Sequence, residues 1–274
     1  MDLLPAAHQR ARGTLRLSFK NRDGATVLDG LRQEGCLKAR FPRMEHGAWT
    51  GAVMLNSSGG VAGGDVLDTA ITAGPGTQAT VASQAAERFY RALPGAAPAQ
   101  VSTALQVAPG AAFEWLPQET ILFDRCAVQR RLAVDLAADA WFLGVEQWVF
   151  GRTAMGETVH DGSLRDLIQV RRDGRLLLHD AIRLDGPVQS LLDRRATGGM
   201  SRGIATLIHV ASDAASKLDP LRDALAGHDA GASAWDGMLV ARVAAPDGAC
   251  LNAAVVAGLA VLREGRPLPR VWLC

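Results

Sequence analysis

From Gly13 to about Val210 the chain reads as short runs of β-branched and apolar residues punctuated by glycine, with no sustained helical period. Residues 14–20 alternate, with Leu15, Leu17 and Phe19 on one face and Arg16, Ser18 and Lys20 on the other. The turn residues Asn21-Arg22-Asp23-Gly24 follow, so a hairpin is expected. The same reasoning predicts strands at 52–56, 66–72, 78–82, 101–107, 112–115, 127–136, 141–150, 164–171, 175–184 and 204–210, nearly all separated by turn signals. Residues 141–150 are apolar on both faces, as expected of a strand covered on both sides.

The last quarter changes character. Asp219-Pro220 ahead of Leu221, Ala224 and Leu225 predicts a short helix with an Asp cap, stopped at Gly227. After a strand at 238–243, residues 247–264 are rich in Ala, Leu and Val and end at Gly265 and Pro267, which predicts a second, largely buried helix. The fold class is therefore mainly β with two α-helices in the C-terminal quarter. No Pro/Ser-rich or single-sign stretch divides residues 1–274, so one domain is expected, and no internal repeat is evident.

Composition narrows the function classes. With 48% hydrophobic and 21% charged residues in 274, the chain is not a disordered one. Lys and Arg number 29 against 28 Asp and Glu, a net +1 that offers no field for a polyanion or an anionic membrane. Lys20, Lys38 and Lys217 are the only lysines, and the remaining cations are arginines, suited to carboxylate pairing and partner interfaces. The longest apolar stretch, 253–262, is shorter than the ~18–20 residues of a membrane span. The opening Met1-Asp2-Leu3-Leu4-Pro5 lacks the pattern of a signal peptide, so a cytoplasmic location is expected.

Familiar catalytic signatures are missing. Cys36, Cys126, Cys250 and Cys274 are widely separated, and His8, His46, His160, His179, His209 and His228 show no zinc or nickel spacing. His179 and His209 lie in apolar strands, where a hydrogen-bonded core imidazole is expected. The cluster Gly59-Gly60-Val61-Ala62-Gly63-Gly64-Asp65 precedes a strand pattern and not a helix, which favours a tight turn needing positive φ over a phosphate loop. Gly198 and Gly203 have P-loop separation, but Ile204 stands where lysine is required. No G-x-S-x-G elbow occurs. Asp65, Glu119, Asp124 and Glu157 fall at predicted strand ends or turns, whereas Glu146 stands out because its charge interrupts a strand apolar on both faces.

Five segments, in order, carry a resemblance: Asn56 through Asp65, Ser83-Gln84-Ala85-Ala86-Glu87-Arg88-Phe89-Tyr90-Arg91, Glu114-Trp115-Leu116-Pro117-Gln118-Glu119-Thr120-Ile121-Leu122-Phe123-Asp124, Gly151 through Glu157, and Pro269-Arg270-Val271-Trp272. Together they resemble the urease accessory family UreD, also called UreH, from about Gly13 to Trp272. Small departures occur at Ala82-Ser83-Gln84, where the family commonly has Thr-Thr-Gln, at Glu87, where Lys is frequent, and at Arg125, where Gly is usual. The resemblance implies stacked β-sheet layers and a non-enzymatic maturation factor. Such a factor acts with UreF and the GTPase UreG on apo-urease and helps nickel reach its active site.

A carrier that passes Ni²⁺ onward must not trap it, so dispersed oxygen ligands serve better than a tight nitrogen or sulfur set. Asp65, Ser83, Gln84 and Glu146 are the candidates for a hydrated passage, with nickel only in transit and no permanent cofactor. Trp49, Tyr90, Arg91 and Trp272 are the candidate partner anchors. Two other readings stand beside this one: a β-sandwich glycoside hydrolase using Glu119 and Asp124, and a nickel-storage protein, which would need clustered His or Cys.

Overall fold

The computed structural model describes residues 10–43, 49–152 and 155–273. His8, His46, Cys274, the opening five residues and the Thr153-Ala154 part of the fourth segment lie outside them. Two mixed β-sheets pack face to face. The first has seven strands in the order β14 (Arg175–Gly186), β13 (Gly162–Arg172), β11 (Ala127–Leu136), β8 (Ala99–Val107), β5 (Val66–Ala73), β1 (Arg12–Arg22) and β2 (Ala25–Gly35). The second runs β16 (Asp229–Trp235), β17 (Met238–Ala245), β15 (Gly203–Val210), β12 (Trp141–Phe150), β9 (Ala112–Leu116), β6 (Gln78–Ser83), β4 (Thr50–Asn56) and β3 (Leu37–Arg40). Two short strands, β7 (Glu87–Phe89) and β10 (Thr120–Leu122), join the second sheet beside β12.

The predicted hairpin is β1–β2, closed by Asp23 and Gly24, both with positive φ, as a two-residue turn between twisted strands requires. Leu15, Leu17 and Phe19 are its buried face. From β5 to β13 the chain passes back and forth between the sheets, with the short β7 and β10 following β6 and β9 within the second, and each crossing strand pairs in parallel with an earlier strand of its own sheet. Parallel neighbours usually need a helical crossover. Here the crossover is a strand of the opposite sheet, so successive coils of chain stack side by side.

The second sheet is covered on both faces: one packs on the first sheet, and the other lies under α2 (Leu218–Ala224), α3 (Gly248–Leu262) and the C-terminal segment. That double cover accounts for the uninterrupted apolar run of β12. Asp247 caps α3 by accepting the Cys250 N–H at 2.7 Å. The helices differ from expectation in two places. Asp219 is not a cap but lies in the first turn of α2, because the single 3-10 turn Ala214–Lys217 feeds directly into that helix. A third helix, α1 (Val188–Asp193), follows Pro187 and at six residues is too short to show an apolar period.

Candidate functional site

Three adjacent strands of the second sheet break at one level. Strand β9 stops at Leu116 and the chain resumes pairing as β10 at Thr120, because Pro117 has no N–H to continue a ladder. Next to it β6 stops at Ser83 and resumes as β7 at Glu87. On the far side β4 stops at Asn56, and the chain regains the sheet at Val61, which bridges Phe89. Beside them β12 runs through unbroken, pairing with β9 up to Gly144 and with β10 from Trp148. A seam therefore crosses the sheet from β12 to the glycine turn, about three strand spacings or roughly 14 Å.

Beyond the seam, Phe150, Leu122, Phe89 and Val61 stand in adjacent register, each nearly inaccessible to solvent. This ladder holds the coils together. Gly60, at φ +141, lets the glycine turn approach it: a Cβ there would lie 2.4 Å from the Tyr90 ring and 2.9 Å from the Arg88 carbonyl oxygen.

The seam is polar. The Gln118 N–H donates to Ser83 Oγ at 2.7 Å, and Glu87 N–H donates to the Glu119 carbonyl at 3.0 Å. Asn56 Nδ2 donates to Glu87 Oε2 at 3.1 Å, while burial pushes the Glu87 carboxyl up from its ordinary range. Gln84 is exposed, and its N–H donates to the Met54 carbonyl. On the outer side the C-terminal segment covers the break: Gln118 Nε2 donates to the Val271 carbonyl at 2.6 Å and Trp272 Nε1 to the Leu116 carbonyl at 3.0 Å. Four of the five resembling segments thus meet here; the fourth in sequence begins at Gly151, whose N–H donates to Leu122.

Glu146 lies opposite the break, on the face of β12 turned toward the first sheet. Its Oε2 is 2.6 Å from Arg130 Nη1, and its Oε1 accepts the Trp115 indole N–H at 2.7 Å. Arg130 also forks onto Asp166, with Nε–Oδ1 at 2.9 Å and Nη2–Oδ2 at 2.8 Å, and lies 3.8 Å from the Trp148 ring centre. Trp148 Nε1 donates to Asp166 Oδ2. Burial raises the Glu146 carboxyl against the pull of Arg130, and the neighbouring Asp166 raises it further. Burial disfavours the Arg130 charge too, but Asp166 and Glu146 outweigh it and hold the guanidinium protonated. Two carboxyl groups share one guanidinium, so with both ionised the cluster carries surplus negative charge. Gln147, on the opposite face of β12, has a buried Nε2 with no hydrogen-bond partner among the described residues.

Asp65 stands at the other end of the seam, at the foot of the glycine turn. Its two oxygens accept the Ala11 and Ala62 N–H groups, each at 2.8 Å, and it is 5% exposed. It clamps the turn to the start of β1. Ser83, Gln84 and Glu146 thus flank one break, and Asp65 closes its edge.

The anchor candidates separate. Tyr90 and Arg91 are exposed; the Tyr90 hydroxyl donates to the Gly59 carbonyl, and its ring meets Phe123 edge-on at 5.0 Å. Trp49 is half-buried under the Arg266 guanidinium and meets Trp141 edge-on at 5.7 Å. Trp272 is buried in the helix-side core, where it pins the chain's own terminus and offers little surface to a partner. His209 is a core imidazole as expected, its Nδ1 3.1 Å from the Phe142 carbonyl, but His179 is exposed on the edge strand β14. Asp124, one half of the proposed hydrolase pair, accepts the His160 and Asp161 N–H groups and so caps a turn. No group of three or more His, Cys, Asp or Glu among the described residues could hold a metal, and no helix there is long and apolar enough to cross a membrane.

Arg130, Asp166, Glu87, Gln118 and Glu114 are the site residues that reading the sequence missed. Arg130 and Asp166 had a signal: each occupies an inward position in its strand's two-residue alternation, between Val128 and Leu132 and between Leu164 and Ile168. Glu114, fully buried on the outer face, pairs with Arg263 and Arg266; its signal is the one that marks Glu146, a lone charge in the apolar run 111–116.

Residues 11–273 match the family described as UreD urease accessory protein. A protein named urease accessory protein UreD from Rhizobium leguminosarum bv. viciae is 44% identical over 264 residues, covering 96% of each chain. Its namesake from Xanthobacter autotrophicus is 44% identical over 269 residues, 97% of this chain and 91% of that protein. The one from Dinoroseobacter shibae is 45% identical over 273 residues, 99% and 95% of the two chains.

Proposed function

The chain belongs to the UreD family of urease accessory proteins and so to urease maturation, and from that premise we propose that it is a non-catalytic scaffold and nickel conduit. It acts with UreF and the GTPase UreG on apo-urease in the cytoplasm. Nickel is cargo in this reading, taken up and released and never stored.

The observation that carries the proposal is the seam: three coincident strand breaks lined by oxygen-bearing side chains and backed by a buried cluster with more carboxylate than guanidinium. A divalent ion crossing there meets Asp65 at one edge, Ser83, Gln84, Asn56 and Glu87 along the break, and Glu146 at the continuous strand. These are single hard ligands, spaced so that no complete coordination shell forms and the ion exchanges from one to the next. Glu146 joins the route only when Arg130 yields one oxygen, with Asp166 keeping the guanidinium in place. The chain has no phosphate-binding loop in its sequence, so the nucleotide switch belongs to a partner.

The test is reconstituted urease activation with UreF, UreG and either Glu146→Gln or Asp65→Asn. Lower nickel per urease active site is expected, with the accessory complex still recovered in pull-downs. If both variants load urease normally, nickel does not cross the seam.

A further inference from the structure

A groove of about 560 Å³ lies away from the seam's inner face, beside the C-terminal segment. Its floor is made of small and apolar residues of β4 and β6, among them Gly51, Ala52, Val53 and Ala82. One wall is the segment after β3, with Phe41 and Pro42, and the other is the chain following α3, with Pro267 and Leu268. The volume falls within the ~300–1,000 Å³ of sites that enclose several apolar groups.

Charge makes the groove distinctive. Arg40 and Arg43 stand on one wall and Arg266 and Arg270 on the other, with Arg263 buried beneath the latter, while no Asp or Glu lines the groove among the described residues. Behind the wall Arg263 and Arg266 share a single carboxylate, Glu114, each at 2.9 Å, with Thr80 donating to the same group. A chain of net charge +1 therefore concentrates positive charge along both sides of one apolar trough. At one end Trp49, half-buried, is already stacked under Arg266 at 4.1 Å from its ring centre. Aromatic and arginine side chains at a desolvated apolar floor are the composition of a binding hot spot.

We propose that this groove docks an acidic amphipathic segment of a partner protein, apolar side chains down on the floor and carboxylates out toward the two arginine walls. A small anion would call for arginines converging on one point. These are spread along two walls with apolar surface between, which fits a polypeptide with acidic flanks. The inference rests on the assembly role proposed above and gives one of its contacts a chemistry.

The test titrates the full-length chain with a fluorescein-labelled peptide of about fourteen residues, roughly four helical turns, carrying Leu at helical spacing and Glu elsewhere. Lys-for-Glu and Ser-for-Leu versions serve as controls. Saturable binding of the Glu/Leu peptide is expected, with both controls weaker by roughly tenfold or more, one decade being ~1.4 kcal/mol. The double variant Arg40→Glu, Arg43→Glu alters two exposed side chains, so the fold survives, which thermal melting checks; it should weaken binding by a similar factor. Absence of Glu/Leu binding, equal binding of the Lys peptide, or indifference to charge reversal overturns the proposal. So does self-association abolished by the double variant, which would put a second copy in the groove. Urease activation separates this outcome from the broader one: a wild-type chain that activates urease yet ignores the peptide refutes the groove alone, and one that fails to activate refutes the scaffold itself.

Discussion

Replacing Arg130 by Leu strips two buried carboxylates of their shared partner while roughly keeping the aliphatic stem. Removing one member of a buried ion pair costs about 3–5 kcal/mol, since the other is left charged in a poor solvent. Loss of the guanidinium over Trp148 adds roughly 0.5–2 kcal/mol. Glu146 limits the damage, because burial already pushes its carboxyl up and without Arg130 it rises further, so it can shed its charge by taking a proton. A carboxyl whose folded pKa is raised favours folding where it is protonated and loses that contribution as pH climbs through the folded value. The deficit of Arg130→Leu should therefore be greatest at pH 7.5 and shrink toward pH 5. Urea unfolding followed by tryptophan fluorescence reads it, and Trp148 in the cluster reports locally. At neutral pH a melting temperature lower by roughly 7–28 °C is expected, at ~2–4 °C per kcal/mol for a domain of this size. A loss below about 1 kcal/mol, with no pH dependence, would mean that the cluster is bathed in water and its carboxylates were never desolvated.

Two further outcomes concern stability alone. Burial depresses the His209 pKa, so protonation opposes folding: the urea midpoint should fall as pH drops below the ordinary imidazole range near ~6.5, and His209→Gln should flatten that slope. Asp247→Ala removes the α3 cap and should cost about 0.5–2 kcal/mol, seen as a lower melting temperature without change in the sheet circular-dichroism signal.

Strand placement was legible because each strand's alternation is a local property of side-chain size and polarity. Residues 127–136 and 141–150 coincide with β11 and β12 at both ends. The three-residue β7 and β10 escaped, since so short a run holds no period. Glu146 was flagged by the cost of its charge in an apolar strand, but its partner lies on a strand of the other sheet, paired to a residue 36 positions beyond that partner. Trp272 reads in the sequence as a candidate surface anchor, because a lone tryptophan carries no mark of which side its neighbours cover, and folding buries it.

Periodicity and composition were enough for a mainly β chain with late helices, lacking nucleotide-binding and metal-binding signatures, and the ordered segments were enough for the family. Which coil would lie beside which, and hence that the breaks at Asn56, Ser83 and Leu116 form one seam, arose only on folding. Alternation tells a side chain which face it occupies; it says nothing of which strand stands next to it, because parallel neighbours here are joined through the opposite sheet and their contacts span tens of residues. The grouping of arginines about the groove has the same cause: Arg40 and Arg270 are far apart along the chain, and only the packing of the C-terminal segment against the second sheet makes them the walls of one site.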